Sequence, residues 1–157
     1  MTVLAIDPGP VESAWCLCRD APNGPLLTGL LTNNLLIDKL RSNAWDADAL
    51  AVEMIASYGM PVGEEVFGTV LWIGRFIEAW GREHTLVKRL ECKLHLCHDS
   101  RAKDANIRQA LIDKLGAPGT KKAPGRTYGV SGHGWSALAV AITVSETYDW
   151  GAEDTED

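Results

Sequence analysis

Short apolar runs bounded by turn residues alternate along this chain with longer stretches of helical period. Residues 2–6 are β-branched and apolar and stop at Asp7-Pro8-Gly9-Pro10, which predicts a strand ended by a tight turn. Residues 12–19 and 26–32 predict two more strands, with Asp20-Ala21-Pro22-Asn23-Gly24-Pro25 as the turn between them. Three consecutive strands with such connections predict an antiparallel meander. Asn33 or Asn34 is expected to cap a helix reaching Arg41, with Leu35, Leu36 and Leu40 on one face.

Residues 49–56 read as a buried strand in which Glu53 sits among Val52, Met54 and Ile55. Over residues 63–80, Val66, Val70, Ile73 and Ile77 recur at three- and four-residue steps, which predicts a long helix. A further strand is expected over 84–89. Ile107, Leu111 and Leu115 predict a helix over 103–115 that Gly116 stops. Six Gly, two Pro and three bases in residues 116–134 predict a long mobile loop, a kind of segment that in compact domains is usually functional or disordered. A last helix is expected over 135–147 and a disordered acidic tail over 151–157. The pattern predicts one α/β domain over residues 1–150, without internal repeats. Its mixed five-stranded sheet, the meander plus parallel strands, would be flanked by helices.

The 157-residue length suits one core, and 46% hydrophobic with 23% charged residues excludes a disordered or low-complexity chain. No apolar run approaches the ~18–20 residues that span a bilayer, so no membrane partner is expected. The start lacks a basic segment and meets Asp7 at once, so no secretory signal is expected either, and the four Cys read as cytoplasmic thiols. A net charge of −6 argues at first against nucleic acid. Divided along the chain, the charge says otherwise. Residues 82–126 carry eleven bases and five acids, or +6, whereas the rest carries four bases and sixteen acids, or −12. Such asymmetry is an interaction signal.

Asp7 and Glu53 are the two carboxylates hardest to explain as surface groups. Asp7 alone fits a turn residue and Glu53 alone an edge residue facing water. If the first and fourth strands are parallel neighbours, both converge on the carboxyl edge of the sheet, where they suit a hard cation such as Mg²⁺.

With Ile6-Asp7-Pro8-Gly9, then Ser13-Ala14-Trp15, the chain resembles the RuvC family of Holliday junction resolvases, within the RNase H-like superfamily. Val52-Glu53 resembles that family's second catalytic strand. Residues 89–93 and Arg101-Ala102-Lys103-Asp104 resemble its basic stretch. His133 with Ala137-Leu138-Ala139-Val140-Ala141 resembles its final helix, whose usual pattern is His-x-x-Asp-Ala-Leu-Ala. The compact length and Leu94-His95-Leu96-Cys97 resemble bacteriophage-type members, in a bacterial or phage-infected cytoplasm.

The resemblance implies an RNase H-like fold and an endonuclease that resolves four-way junctions and other branched DNA by phosphodiester hydrolysis. It implies Mg²⁺, with Mn²⁺ able to substitute, and no organic cofactor. Asp7, Glu53 and His133 are the expected catalytic metal ligands, Asp104 a substitute ligand, and Lys93 and Lys103 the groups that stabilise the scissile phosphate. Lys88, Arg89, Lys93, Arg101, Lys103 and Arg108 are expected to contact DNA, joined by Lys121, Lys122 and Arg126 of the Gly/Pro loop.

The chain departs from the pattern at one position: Ser136 stands where the last carboxylate belongs. Three arrangements are compatible with it: His133 completes a site for one metal, another acid (Asp104 or Glu146) substitutes, or the protein binds branched DNA with an impaired catalytic site. An RNA-processing RNase H-like nuclease is a further alternative.

Other clusters have plainer readings. Cys92, His95, Cys97 and His98 are too crowded for tetrahedral zinc by themselves; Cys16 and Cys18 could supply a second pair, but small buried thiols with partly exposed histidines are the plainer reading. Trp72 and Trp80, eight residues apart, place an apolar face on the long helix that suits core packing or a homodimer through residues 63–80. Tyr58 and Met60, just beyond Glu53, suit loop packing or stacking on opened bases.

Overall fold

The computed structural model describes residues 1–21 and 23–150; the expected acidic tail lies outside them. Among the described residues, five strands form one sheet: β1 (Thr2–Asp7), β2 (Glu12–Arg19), β3 (Leu26–Thr32), β4 (Ala49–Met54) and β5 (His84–Lys88). Their order is β3-β2-β1-β4-β5. β1–β2 and β2–β3 are antiparallel, as the meander requires, and β1–β4 and β4–β5 are parallel. The helices are α1 (Asn33–Ser42), α2 (Glu64–Trp80), α3 (Arg89–Cys97), α4 (Asp104–Leu115) and α5 (Gly134–Thr147). None of the described helices is long and apolar enough to cross a membrane.

Strand alternation builds two cores. Leu4 and Ile6 of β1, with Leu50 and Val52 of β4, face α1 and α2 and pack on Leu36, Leu40, Ile73, Phe76 and Trp80. Val3, Ala5 and Ala51 face the other way, into the layer of α3, α4 and α5 with Leu111, Leu138 and Ile142. A helix that is apolar all round must be buried, and α5 is: every residue from Gly134 to Val144 except Ser136 is buried. Its alanines 137, 139 and 141 have no bulk to hold the helix off the sheet.

Three differences from the sequence pattern have local causes. β4 ends at Met54 rather than reaching Ala56, once its pairing with β5 runs out at Met54–Lys88. The strand expected over 84–89 stops at Lys88, where Glu91 Oε2 accepts a 2.6 Å bond from the Lys88 N–H and starts α3. Neither Asn33 nor Asn34 caps α1: the cap position is Thr32, and the Asn33 side chain is engaged elsewhere. The 116–134 segment holds a Gly119–Pro124 bridge. The Thr127 hydroxyl donates to the Gly116 carbonyl at 3.0 Å.

Trp80 and Phe76 go into the core, yet α2 keeps Phe67 and Leu71, four residues apart, 65% and 66% exposed. The four cysteines are free thiols. Burial pushes Cys18 and Cys92 up to about 11 and Cys16 higher still, which keeps these thiols protonated. Among the described residues no group of three or more His, Cys, Asp or Glu is arranged to hold a metal by itself.

Candidate active site

The same alternation that builds the cores aims the acids. Asp7 follows Val3 and Ala5 onto the α5 face of the sheet, and Glu53 follows Ala51 onto that face of β4. The parallel register pairs Ile6 with Val52, so the next residue on each strand is a carboxylate at the carboxyl edge. The two side chains are only 14% and 13% exposed and lie within hydrogen-bonding reach of each other. Burial, then the charge of Asp7 and a shared hydrogen bond, push the Glu53 carboxyl up to about 7, with Arg89 opposing. Two carboxyls so placed cannot both carry charge cheaply without a cation.

A buried hydrogen-bond circuit holds the turn after Asp7. The Ser13 hydroxyl donates to Asn33 Oδ1 at 2.7 Å and accepts from the Gly9 N–H at 3.1 Å. Asn33 Nδ2 closes the circuit onto the Gly9 carbonyl at 2.9 Å. Gly9 tolerates no side chain, since a Cβ there would lie 2.4 Å from the Glu12 carbonyl oxygen. Asn33 is therefore spent on the site rather than on capping its helix.

His133 sits at the start of α5 with Nδ1 2.9 Å from Asp7 Oδ2, its ring 81% exposed. On the Glu53 side stands Arg89, the first residue of α3. Its Nη1 is 3.6 Å from Glu53 Oε1 and donates to Ser136 Oγ at 3.4 Å, while Nη2 bonds Asp104. Burial works against the Arg89 charge, but the bond to Asp104 and the nearby carboxylates outweigh it and raise its pKa.

Of the expected site residues, Asp7, Glu53 and His133 come together. Asp104 does not join them: it is exposed and turned to Arg89. Glu146 is removed from the site altogether, thirteen residues along α5 from His133 or about 20 Å, where it accepts from Lys114 at 2.9 Å and faces His95.

Lys88, Arg101, Lys103 and Arg108 are exposed, and Lys93 is half-buried on α3. Lys103 opens α4, its N–H bonded to Asn106 Oδ1 at 2.9 Å. Arg108 lies over the Trp135 ring at 5.1 Å. Lys121 and Lys122 are exposed, but Arg126 turns inward and donates to the Gly24 carbonyl at 2.6 Å. Tyr58 and Met60 do not pack into their loop: they are 66% and 71% exposed just past Glu53. Sequence reading missed Ser13 and Asn33 as the clamp on the Asp7 turn, and took Arg89 only as a DNA contact. Its neighbour Ser136 is the one signal for it, a neutral residue where a charge was expected.

Two clefts meet at His133. One, of about 810 Å³, is lined by Arg89, Asp104, Arg108, Trp135 and Ser136; the other, of about 460 Å³, by Asp7, Gly9, Glu65 and Thr69. An elongated ligand crossing both would pass His133 and reach Asp7 in the second cleft.

No protein-family model matches the sequence, and neither does any curated protein. The fold does have solved counterparts. The Thermus thermophilus RuvC structure superimposes with a TM-score of 0.69 at 19% identity, covering 92% of this chain and 93% of that one. T. thermophilus RuvC in complex with Holliday junction substrate superimposes with a TM-score of 0.66 at 18% identity, with the same coverage. The chain thus has the RNase H-like fold of RuvC, with the sheet and its flanking helices in the expected arrangement.

Proposed function

We propose that this protein is a structure-selective endonuclease that cuts four-way junctions and other branched DNA by metal-dependent hydrolysis. The observation that carries the proposal is the pair of buried, adjoining carboxyls, Asp7 and Glu53, at the carboxyl edge of two parallel strands. The fold shared with a protein solved on a Holliday junction supports the choice of substrate, as does the +6 segment, whose Arg89 and Arg108 line the cleft at His133.

The donor set fits a hard divalent cation, because its oxygens are carboxylate and burial together with the Asp7 charge makes the ionised Glu53 costly, a cost that a bound cation would relieve. Asp7 and Glu53 would hold Mg²⁺ or Mn²⁺, with His133 beside them. Such an ion, when bound, would lower the pKa of the attacking water and stabilise charge on the phosphate oxygens. The chain's own groups do the rest. The Ser13–Asn33–Gly9 circuit fixes where Asp7 points, and His133 Nδ1 orients its outer oxygen. Arg89 offers donors into the cleft, and Lys93 on α3 and Lys103 at the start of α4 would meet the phosphate. Lys88, Arg101, Arg108, Lys121 and Lys122 would track the backbone; Arg126, held by Gly24, would do so only after release.

A four-way junction has two-fold symmetry, so two copies would cut two strands. The exposed Phe67 and Leu71 of α2 support a homodimer formed there. Single-domain organisation over residues 1–150, a bacteriophage source and a cytoplasmic setting complete the proposal. The test is cleavage of an end-labelled four-way junction in Mg²⁺ and in Mn²⁺. Nicks near the crossover are expected, and their absence across pH 6–9 would favour the second reading, a branched-DNA-binding protein, for which Ser136 speaks.

A further inference from the structure

Ser136 leaves the site short of one carboxylate, and Arg89 reaches the same spot from the other side of the cleft. Its guanidinium spans three oxygens, those of Glu53, Ser136 and Asp104. That is an arrangement of ligands around a cation, with the cation supplied by the chain. The charges agree with it. Asp7, Glu53 and Asp104 against Arg89 leave a formal −2, which a single divalent ion neutralises. Paired ions ~3.5–4 Å apart would add four positive charges to a site that already contains a fixed one. Ser136 is compatible with Arg89 for the same reason: it accepts a hydrogen bond from the guanidinium without adding a charge to bind it more tightly.

We infer that the Arg89 guanidinium takes the place of a second divalent cation, so that each chain binds one ion, between Asp7 and Glu53, and uses Arg89 as a fixed positive charge on the Glu53–Ser136 side. This rests on the metal-dependent reading above and adds to it a specific stoichiometry and a role for a residue otherwise assigned to DNA backbone contact. It also makes Arg89 and Ser136 a matched pair. Ser136→Asp alone would hand Arg89 a third carboxylate and leave the ion count at one.

The experiment is a Mn²⁺ titration of the whole protein without DNA, at pH 8, counting bound ions from the loss of the free-ion paramagnetic resonance signal. One ion per chain is expected, lost in Asp7→Asn. The double variant Arg89→Ala with Ser136→Asp is expected to bind two. Arg89→Gln, which keeps the shape but removes the opposing charge, should bind its single ion about fivefold more tightly. Two ions in the unaltered protein would overturn the role of Arg89 and leave the nuclease reading intact. No ion, or one that survives Asp7→Asn, would overturn both. One ion in a folded double variant, or unchanged affinity in Arg89→Gln, would overturn the substitution of Arg89 for metal.

Discussion

Replacing Glu53 by Gln removes a charge that both burial and Asp7 oppose, and its effect on stability depends on pH in a definite direction. The amide has the shape of the protonated acid and can still donate to Asp7. An ordinary Glu titrates near 4.5, whereas Glu53 in the fold titrates near 7. Between those values the unfolded chain has lost the proton and the folded one keeps it, so stability falls as pH rises. Above pH 8 the whole cost is present, about 3 kcal/mol from the displacement; at pH 5 it has shrunk to less than about 1 kcal/mol. For a chain of this size that corresponds to a melting temperature about 6–12 °C higher for Glu53→Gln at pH 8, and only a small gain at pH 5. The assay is thermal unfolding followed by circular dichroism in EDTA at both pH values. Adding Mg²⁺ at pH 8 should then raise the melting temperature of the unaltered protein and leave the variant where it was. A variant no more stable at pH 8 than at pH 5, relative to the unaltered protein, would refute the picture of two carboxyls held together against their charge.

Other outcomes follow from the same geometry. Asn33→Ala strips partners from the Ser13 hydroxyl and the Gly9 carbonyl and should cost about 1–3 kcal/mol in a urea melt, with cleavage reduced further because Asp7 is no longer held; an unchanged midpoint would dismiss the clamp. Junction affinity should fall by orders of magnitude between roughly 50 and 200 mM salt, since phosphate neutralisation releases counterions; a flat response in a gel-shift series would remove the +6 segment from the interface. Phe67→Glu with Leu71→Glu should shift sedimentation to monomer while the chain stays folded by circular dichroism, because both side chains are exposed in the single chain; a monomeric unaltered protein would remove the proposed dimer.

Strand periodicity made β1 to β4 legible, and parity carried the site with it: an acid two residues after Ala5 and another two after Ala51 had to share a face once the strands were parallel neighbours. What periodicity could not reach depended on contacts between distant elements. Asn33 looks like a helix cap because its chemistry suits one. Only the fold shows its amide committed to Gly9, twenty-four residues away. Arg89 lies at a strand–helix junction with no hydrophobic period to mark it, and α3 itself is a nine-residue helix of mixed polar, thiol and apolar positions. Its partners Glu53 and Ser136 lie on either side of it in the chain, the second forty-seven residues away. Asp104 and Glu146 suit a helix start and a solvated face as well as a metal site in sequence terms, and each is held by a base, Arg89 and Lys114 respectively.

The central claim is that Asp7 and Glu53 form a cation site that cuts branched DNA. The most direct measurement compares the unaltered protein with Asp7→Asn on a labelled four-way junction in Mn²⁺, scoring cleavage and binding on the same samples. The account predicts nicks from the unaltered protein and none from Asp7→Asn, with junction affinity equal or tighter in the variant. Cleavage that persists undiminished in Asp7→Asn would contradict it.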